Sequence, residues 1–142
     1  MIKKMDTLTT GELEEILDIW LTANYDAHPF IPDSYWQENL AFVREQLPLA
    51  ELYIYREQNK ILGFLGVTDS YIAGIFVRSD YRKQGIGKKL LDTVKQTHDT
   101  LNLSVYEKNS NALTFYDKHG FQKSNESIDE TGEREYHLIW KK

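Results

Sequence analysis

The chain has 142 residues, of which 41% are apolar and 27% are charged, and its formal net charge at pH 7 is −5. This balance is typical of a soluble globular protein, and the acidic charge argues against a general nucleic-acid binder. Because there is no cysteine and no run near the roughly 20 apolar residues of a membrane helix, we exclude disulfides, thiolate metal sites and a cysteine nucleophile, and we expect a cytoplasmic protein.

Two amphipathic helices are predicted in the N-terminal third. Thr9 and Glu12 have the spacing of a capping box, and an apolar stripe at helical spacing follows them. Two prolines then interrupt the helical pattern. Ser34 and Gln37 offer a second capping box, and the helix that they begin is predicted to end before the next proline.

The remainder of the chain alternates between predicted strands and helices. The run 71–77 is apolar throughout, which predicts a strand buried on both faces. This alternation indicates one α/β domain over residues 1–142. Strands are predicted over 49–55, 61–68, 71–77 and 101–106, helices over 86–94 and 109–119, and a final pair of strands over 121–124 and 136–140.

The most informative segment is the glycine loop of residues 82–88, which reads Arg-Lys-Gln-Gly-Ile-Gly-Lys and joins a predicted strand to a helix. The window 78–95 carries a charge of +4, whereas the rest of the chain carries −9. Glycines let the backbone approach a ligand closely, and the first N–H groups of a helix attract anions. The segment therefore predicts a phosphate or pyrophosphate site.

Two common phosphate-binding motifs do not fit this loop. A Walker A loop would need glycine at position 82 and serine or threonine at position 89, where the chain has Arg82 and Lys89. A Rossmann fingerprint would need a third glycine in place of Leu90, and it would follow the first strand. The glycines alone could mark a tight turn, so the prediction rests on strand, loop, helix and cations together.

With these motifs in view, the chain resembles the GNAT acetyltransferase superfamily. Residues 82–87 match its coenzyme loop, R/Q-x-x-G-x-G/A, and a second motif downstream contains Asn109, Ala112 and Tyr116 in register. The resemblance covers essentially the whole chain and is closest to small stand-alone bacterial members. It implies a mixed, mostly antiparallel central sheet flanked by helices, with a C-terminal βαβ unit, and acetyl-CoA as the co-substrate.

The resemblance also implies where the coenzyme would lie. Its pantetheine arm would follow the backbone of the family's fourth strand, here 71–77, and its pyrophosphate would sit on the amides of the glycine loop. Asn109 corresponds to a coenzyme-contacting asparagine, although asparagine is also a good helix N-cap in its own right. The implied coenzyme-binding residues are Ile75, Phe76, Val77, Arg82, Lys83, Gln84, Gly85, Ile86, Gly87, Lys88 and Asn109.

The resemblance assigns Tyr116 the role of general acid, which protonates the leaving thiolate; the alternative is an aromatic core residue. The Phe76 N–H is expected to polarise the thioester carbonyl. Many family members use a glutamate on the fourth strand as base, and this strand has no carboxylate. Of the candidates His28, Asp69 and Glu107, we predict His28, because histidine titrates near neutral pH.

The acceptor cleft implied by the resemblance draws on the first two helices and the late strands. We expect Tyr25, Phe30, Tyr71 and Tyr136 to line it. Acidic residues outside the cationic window would favour a cationic acceptor. The four histidines lack metal-ligand spacing, so no metal is expected.

The sequence therefore predicts an acetyl-CoA-dependent N-acetyltransferase in which a primary amine attacks directly within a ternary complex. The amine is a protein lysine, an N-terminal amine or a small molecule, and no nucleic acid or membrane partner is expected. With no cysteine and no evident serine–histidine arrangement, no acyl-enzyme is expected. We expect a monomer or a weak homodimer. The alternative function is a non-catalytic module that senses acetyl-CoA.

Overall fold

The computed structural model describes all 142 residues and places seven strands in one sheet, in the order β1-β2-β3-β4-β5-β7-β6. Every neighbouring pair is antiparallel except β4 and β5, which are parallel. The strands are β1 (Ile2–Met5), β2 (Glu51–Glu57), β3 (Lys60–Thr68), β4 (Tyr71–Val77), β5 (Thr100–Tyr106), β6 (Gln122–Ile128) and β7 (Arg134–Lys141). The helices are α1 (Thr10–Ala27), α2 (Asp33–Gln46), α3 (Ile86–Lys95) and α4 (Ser110–Lys118).

Helices pack on both faces of the sheet and create two cores. Alternate side chains of β2 point to opposite faces, so Leu52 and Ile54 meet α1 and α2 while Tyr53 and Tyr55 meet α3. Burying each large aliphatic side chain stabilises the fold by about 1.5–3 kcal/mol. This architecture confirms the predicted mixed, mostly antiparallel sheet flanked by helices. None of the four helices has the length and apolar character needed to cross a bilayer.

The first strand, β1, was not predicted. It contains two exposed lysines and has only four residues, so its sequence has no clear strand pattern. It forms because β2 offers a partner, with Ile2 opposite Tyr55 and Met5 opposite Leu52. With β1 counted, the apolar run 71–77 is the fourth strand, as the family resemblance implied.

One of the two predicted capping boxes forms. The Glu12 N–H donates to Thr9 Oγ1 at 3.1 Å, and the Thr9 N–H donates to Glu12 Oε1 at 2.9 Å. The second prediction was wrong, because α2 has Pro32 as its N-cap and no side chain caps it. The helix therefore begins one residue before Ser34, and Gln37 instead donates to the hydroxyl of Tyr25 at 2.9 Å.

Strand β4 is not buried on both faces as predicted. Ile72 is its only buried residue, and the rest of the strand is exposed or half-buried. The cause is the register, because Tyr71 and Asn102 are the single pair that joins β4 to β5. A shift of register against β3 leaves Ala73 unpaired, which gives β4 a bulge. The two parallel strands therefore split apart beyond their first pair.

Candidate functional site

The split between β4 and β5 opens the centre of the sheet. At its closed end, the Asn102 N–H donates to the Ser70 carbonyl at 2.9 Å, and the Asn102 side-chain amide donates to the same oxygen at 3.1 Å. Beyond that point the facing edges of the two strands share no register pair. A free strand edge can accept an extended ligand as an additional strand through main-chain hydrogen bonds.

The hydrogen-bond pattern shows which residues of β4 face the split. The Arg78 N–H donates to the Leu62 carbonyl at 2.8 Å, so this is a hydrogen-bonded pair of the antiparallel ladder. Because such pairs alternate, Phe76 is the next residue bonded to β3. Ile75 and Val77 therefore turn their backbone groups towards the split. The expectation that the Phe76 N–H polarises a bound carbonyl is thus not supported, because that group points to β3.

The glycine loop presents a row of unpaired donors. The N–H groups of residues 83–88 make no hydrogen bond within the protein, and the first helical bond runs from the Lys89 N–H to the Gly85 carbonyl at 3.0 Å. Gly85 is the N-cap of α3 and has φ +85°, a left-handed conformation that glycine adopts readily. Six free donors together with the positive end of the helix dipole suit the oxygens of a phosphate group.

The cationic side chains of the loop are partly engaged. Arg82 donates through Nε to the Val77 carbonyl at 3.2 Å and pairs with Asp26 at 3.3 Å, which ties the loop to the end of β4. Lys88 pairs with Asp92 at 2.8 Å on the surface of α3. Exposed pairs of this kind are worth about 1 kcal/mol or less, so an anion can displace them. The loop backbone therefore offers more free donors to an anion than its side chains do.

Tyr116 lies on α4 and is only 7% exposed. Its ring makes edge contacts with Phe115 at 5.2 Å and Phe121 at 5.3 Å between centroids. Two polar side-chain atoms are sealed without a partner, His28 Nδ1 and Trp36 Nε1. The Tyr116 hydroxyl also makes no hydrogen bond within the protein. Burial raises the pKa of Tyr116, so the phenol is protonated at neutral pH and can donate.

Asn109 caps α4 and also touches the first helix–helix connection. Its Oδ1 accepts from the Ala112 N–H at 3.3 Å, and its Nδ2 lies 3.4 Å from His28 Nε2. The His28 ring stacks on Trp36 with centroids 5.2 Å apart. Asn109 is therefore the N-cap of α4, the structural role considered for it in the sequence analysis, and its side-chain amide also contacts His28.

The surroundings of His28 argue against its predicted role as the base. Burial lowers the pKa of His28 to about 4, and the Asn24 carbonyl opposes this only in part. A group with that pKa is a weak proton acceptor for an ammonium of pKa about 10.4. Nδ1 is sealed from solvent, and Nε2 faces Asn109. These contacts suit a residue that orients Asn109.

The residues predicted to line the acceptor cleft do not all meet. Tyr25 and Phe30 pack with the α1–α2 core, and Phe30 makes an edge contact with His28 at 5.7 Å. Tyr71 is 43% exposed at the closed end of the split. Tyr136 packs on the opposite face with the α3–α4 core and donates to Glu107. The structure brings Tyr25, His28 and Phe30 together and leaves Tyr136 on the other side of the sheet.

The acidic loop between β6 and β7 is held against aromatic residues of the α1–α2 side. Tyr35 donates to Glu130 at 2.5 Å, and Tyr106 donates to Asp129. Burial, followed by the hydrogen bond to Asp129, raises the pKa of Tyr106. The loop therefore adds negative charge beside the aromatic cluster.

A serine–histidine arrangement that the sequence did not reveal lies on β5, β6 and β7. Ser104 Oγ is 2.9 Å from His137 Nδ1, and Ser127 Oγ is 3.2 Å from His137 Nε2. This arrangement was not evident in the sequence, because 33 residues of chain separate Ser104 from His137. Only the strand register, which sequence spacing does not give, places them opposite each other.

The comparisons with known proteins agree with this architecture. Residues 27–139 match the family described as the acetyltransferase (GNAT) domain. The chain therefore belongs to the GNAT acetyltransferase family, and the expectation of an N-acetyltransferase is confirmed.

Relatives cover most of the chain. It is 38% identical over 113 residues to the peptidyl-lysine N-acetyltransferase YiaC of Escherichia coli, with 78% of this chain and 77% of the relative covered. It is 32% identical over 123 residues to the peptidyl-lysine N-acetyltransferase YjaB of Salmonella typhimurium, with 85% of each chain covered.

Solved structures extend the similarity to the fold. The apo form of YjaB from Escherichia coli has a TM-score of 0.85 and 26% identity, and the match covers 99% of this chain and 96% of that one. An acetyltransferase from Bacillus anthracis, solved in complex with acetyl coenzyme A, has a TM-score of 0.60 and 25% identity over 66% of this chain and 63% of its own.

Proposed function

We propose that the protein transfers an acetyl group from acetyl-CoA to the side-chain amine of a lysine in a protein or peptide. The observation that carries this proposal is the split between β4 and β5, together with the free amides of residues 83–88 in the loop that follows β4. The acceptor class is supported by the names of the relatives, which are peptidyl-lysine N-acetyltransferases. The net charge of −5 favours a cationic acceptor.

The residues present fit acetyl-CoA as the donor. The edge of β4 at Ile75 and Val77 offers main-chain groups to the amides of its arm, and the loop amides offer donors to its pyrophosphate. Asn109 stands at the start of α4, held by His28. When bound, acetyl-CoA supplies an acetyl thioester, and the chain's role is to orient it and to move protons.

Two groups of the chain would assist a direct attack in a ternary complex. A backbone N–H of β4 that faces the split, from Ile75 or Val77, would stabilise negative charge on the acetyl oxygen. Tyr116, which is protonated at neutral pH, would donate a proton to the departing sulfur.

The alternative function is a sensor that binds acetyl-CoA without turnover. A Tyr116 hydroxyl without a structural partner favours catalysis, since a purely structural tyrosine usually satisfies its hydroxyl. The cytoplasmic location and the monomeric or weakly dimeric state stay predictions from the sequence.

The test is incubation of the protein with acetyl-CoA and a panel of three amines: a lysine peptide with a blocked N-terminus, a peptide whose only amine is its N-terminus, and a polyamine. Thiol release and intact mass report transfer. We expect acetylation of the lysine peptide above the other two. Thermal stabilisation by acetyl-CoA without any product would favour the sensor, and no stabilisation at all would overturn both functions.

A further inference from the structure

We propose that His137, held between Ser104 and Ser127, accepts the proton that the acceptor amine loses; this inference rests on the proposed function. It fills the role of base that the sequence left unsettled and that the surroundings of His28 argue against. Three features of His137 support this role: its hydrogen bonds to two serines, its place on an open face of the sheet, and its position on the face opposite Tyr116.

Both ring nitrogens of His137 have hydroxyl partners. Ser104 Oγ lies 2.9 Å from Nδ1, and Ser127 Oγ lies 3.2 Å from Nε2. A serine hydroxyl can donate or accept by rotating, so the ring can gain or lose a proton without leaving a nitrogen unsatisfied. His28 has no such freedom, because its Nδ1 is sealed without a partner.

The face that carries His137 is uncovered. Its ring is half-buried, Asn125 and Ser127 on β6 are exposed, and an open pocket of about 430 Å³ lies alongside. The pocket is lined by Asn102 as well as by His137, and Asn102 closes the split between β4 and β5. An amine entering from this face therefore meets His137 beside the closed end of the split.

His137 and Tyr116 lie on opposite faces of the sheet. Ser104, opposite His137, alternates along β5 with Leu103 and Val105, which belong to the core that includes Tyr116. Deprotonation of the amine and protonation of the departing sulfur are separate proton transfers, so a base and an acid on different faces can each serve one of them.

The charges that face His137 come from its own strand. Glu135, two residues away on β7, has a raised pKa, caused first by burial and then by Asp129, while His137 acts in the opposite direction. Lys141 lies at the far end of the pocket. The residues that face His137 from β5 and β6 are uncharged: Asn102, Ser104, Asn125 and Ser127. Glu135 would favour the approach of an ammonium ion.

Acetyl transfer from the thioester to a lysine ammonium releases one proton overall. His137 takes one proton from the lysine ammonium, and the neutral amine forms a bond from its nitrogen to the acetyl carbon. The carbon–sulfur bond breaks, the sulfur takes a proton from Tyr116, and the new amide loses its second N–H proton to solvent, from which Tyr116 regains its own. The products are the acetylated lysine, the free thiol and one proton, which His137 passes to solvent.

The experiment compares His137→Gln with His98→Gln, a control at the end of α3 whose ring lies against the Val94 carbonyl. For a lysine peptide at pH 7, we expect kcat/KM to fall by more than about tenfold in His137→Gln, within the range for proton-transfer groups, and to stay unchanged in the control. Thermal stabilisation by acetyl-CoA should be the same in all three proteins.

If His137 removes the proton from the amine, two further results are expected. The deficit of His137→Gln should shrink as the pH rises towards the lysine pKa of about 10.4, because the amine then arrives neutral. It should be smaller for an N-terminal amine, whose pKa is about 7.7–8.0. A deficit independent of pH and acceptor would assign His137 a structural role and overturn the inference, as would unchanged activity at pH 7.

The outcomes separate this inference from the proposed function. If the unaltered protein acetylates no amine, the proposed function fails and the inference fails with it. If the unaltered protein is active and His137→Gln matches it, only the inference fails. Should His137→Gln not fold, Ser127→Ala removes the Nε2 partner alone, and unchanged kcat/KM at pH 7 in that variant would overturn the inference.

Discussion

Tyr71 and Asn102 are the single pair that holds the parallel strands β4 and β5 together, and the strands separate beyond it. The glycine loop follows the free end of β4. Tyr116 belongs to the core on the α3–α4 face of the sheet, and His137 alternates with Leu138 of that core, so it lies on the opposite face. We propose that the break in the sheet gives the donor and the acceptor access to one point.

The first prediction concerns Tyr116. Replacing it with phenylalanine removes the hydroxyl and keeps the ring contacts with Phe115 and Phe121. We expect turnover to fall by more than about tenfold, with acetyl-CoA affinity unchanged, because proton transfer to the leaving sulfur is lost. Tyr55→Phe is the control, since its hydroxyl bonds Glu57 on β2. Full turnover in Tyr116→Phe would remove this residue from the mechanism.

The second prediction uses two glycines with nearly the same conformation. Gly85 has φ +85° and Gly132 has φ +84°, and a Cβ at either position would meet no atom within 4 Å. Alanine at either site therefore strains the backbone by about 1–2 kcal/mol without a clash. We expect both variants to lose similar stability, as measured by urea unfolding, and only Gly85→Ala to weaken acetyl-CoA binding. Equal affinities would contradict the assignment of the loop as the anion site.

The third prediction concerns pH and His28. The pKa of His28 is about 4 in the folded protein and about 6.5 when unfolded. Between these values the unfolded chain binds more protons, so stability should fall as the pH is lowered from about 6.5 towards 4. Urea unfolding of the wild type and His28→Gln at pH 7 and pH 5 measures this. The variant should lose less stability over that interval, and equal losses would contradict the buried, neutral state.

Local motifs accounted for the parts of the site that lie close together in the chain. The glycine loop, the helix that it begins and the segment from Asn109 to Tyr116 each have ten residues or fewer, and their conformations depend on neighbours in sequence. Helix caps and left-handed glycines follow from such neighbours. The fold class was also predictable, through the resemblance that those motifs carry.

Features that depend on strand register could not be predicted from the sequence. The apolar run of β4 looks like a doubly buried strand, and only its single pairing with β5 shows that it borders a gap. Ser104 and His137 have no local signal, because their contact exists only across the β5–β7 ladder. The low pKa of His28 likewise depends on its burial against Trp36, which no sequence spacing reveals.

The most direct measurement is a titration of the ¹⁵N-labelled protein with acetyl-CoA, followed by amide NMR. The account predicts that the amides of residues 83–88, which are unpaired in the free protein, and those of Ile75 and Val77 shift together and saturate at one stoichiometric site. Stabilisation at one hundred times Kd should reach about 2.7 kcal/mol. Saturable shifts confined to another part of the sheet, with these eight amides unmoved, would contradict it.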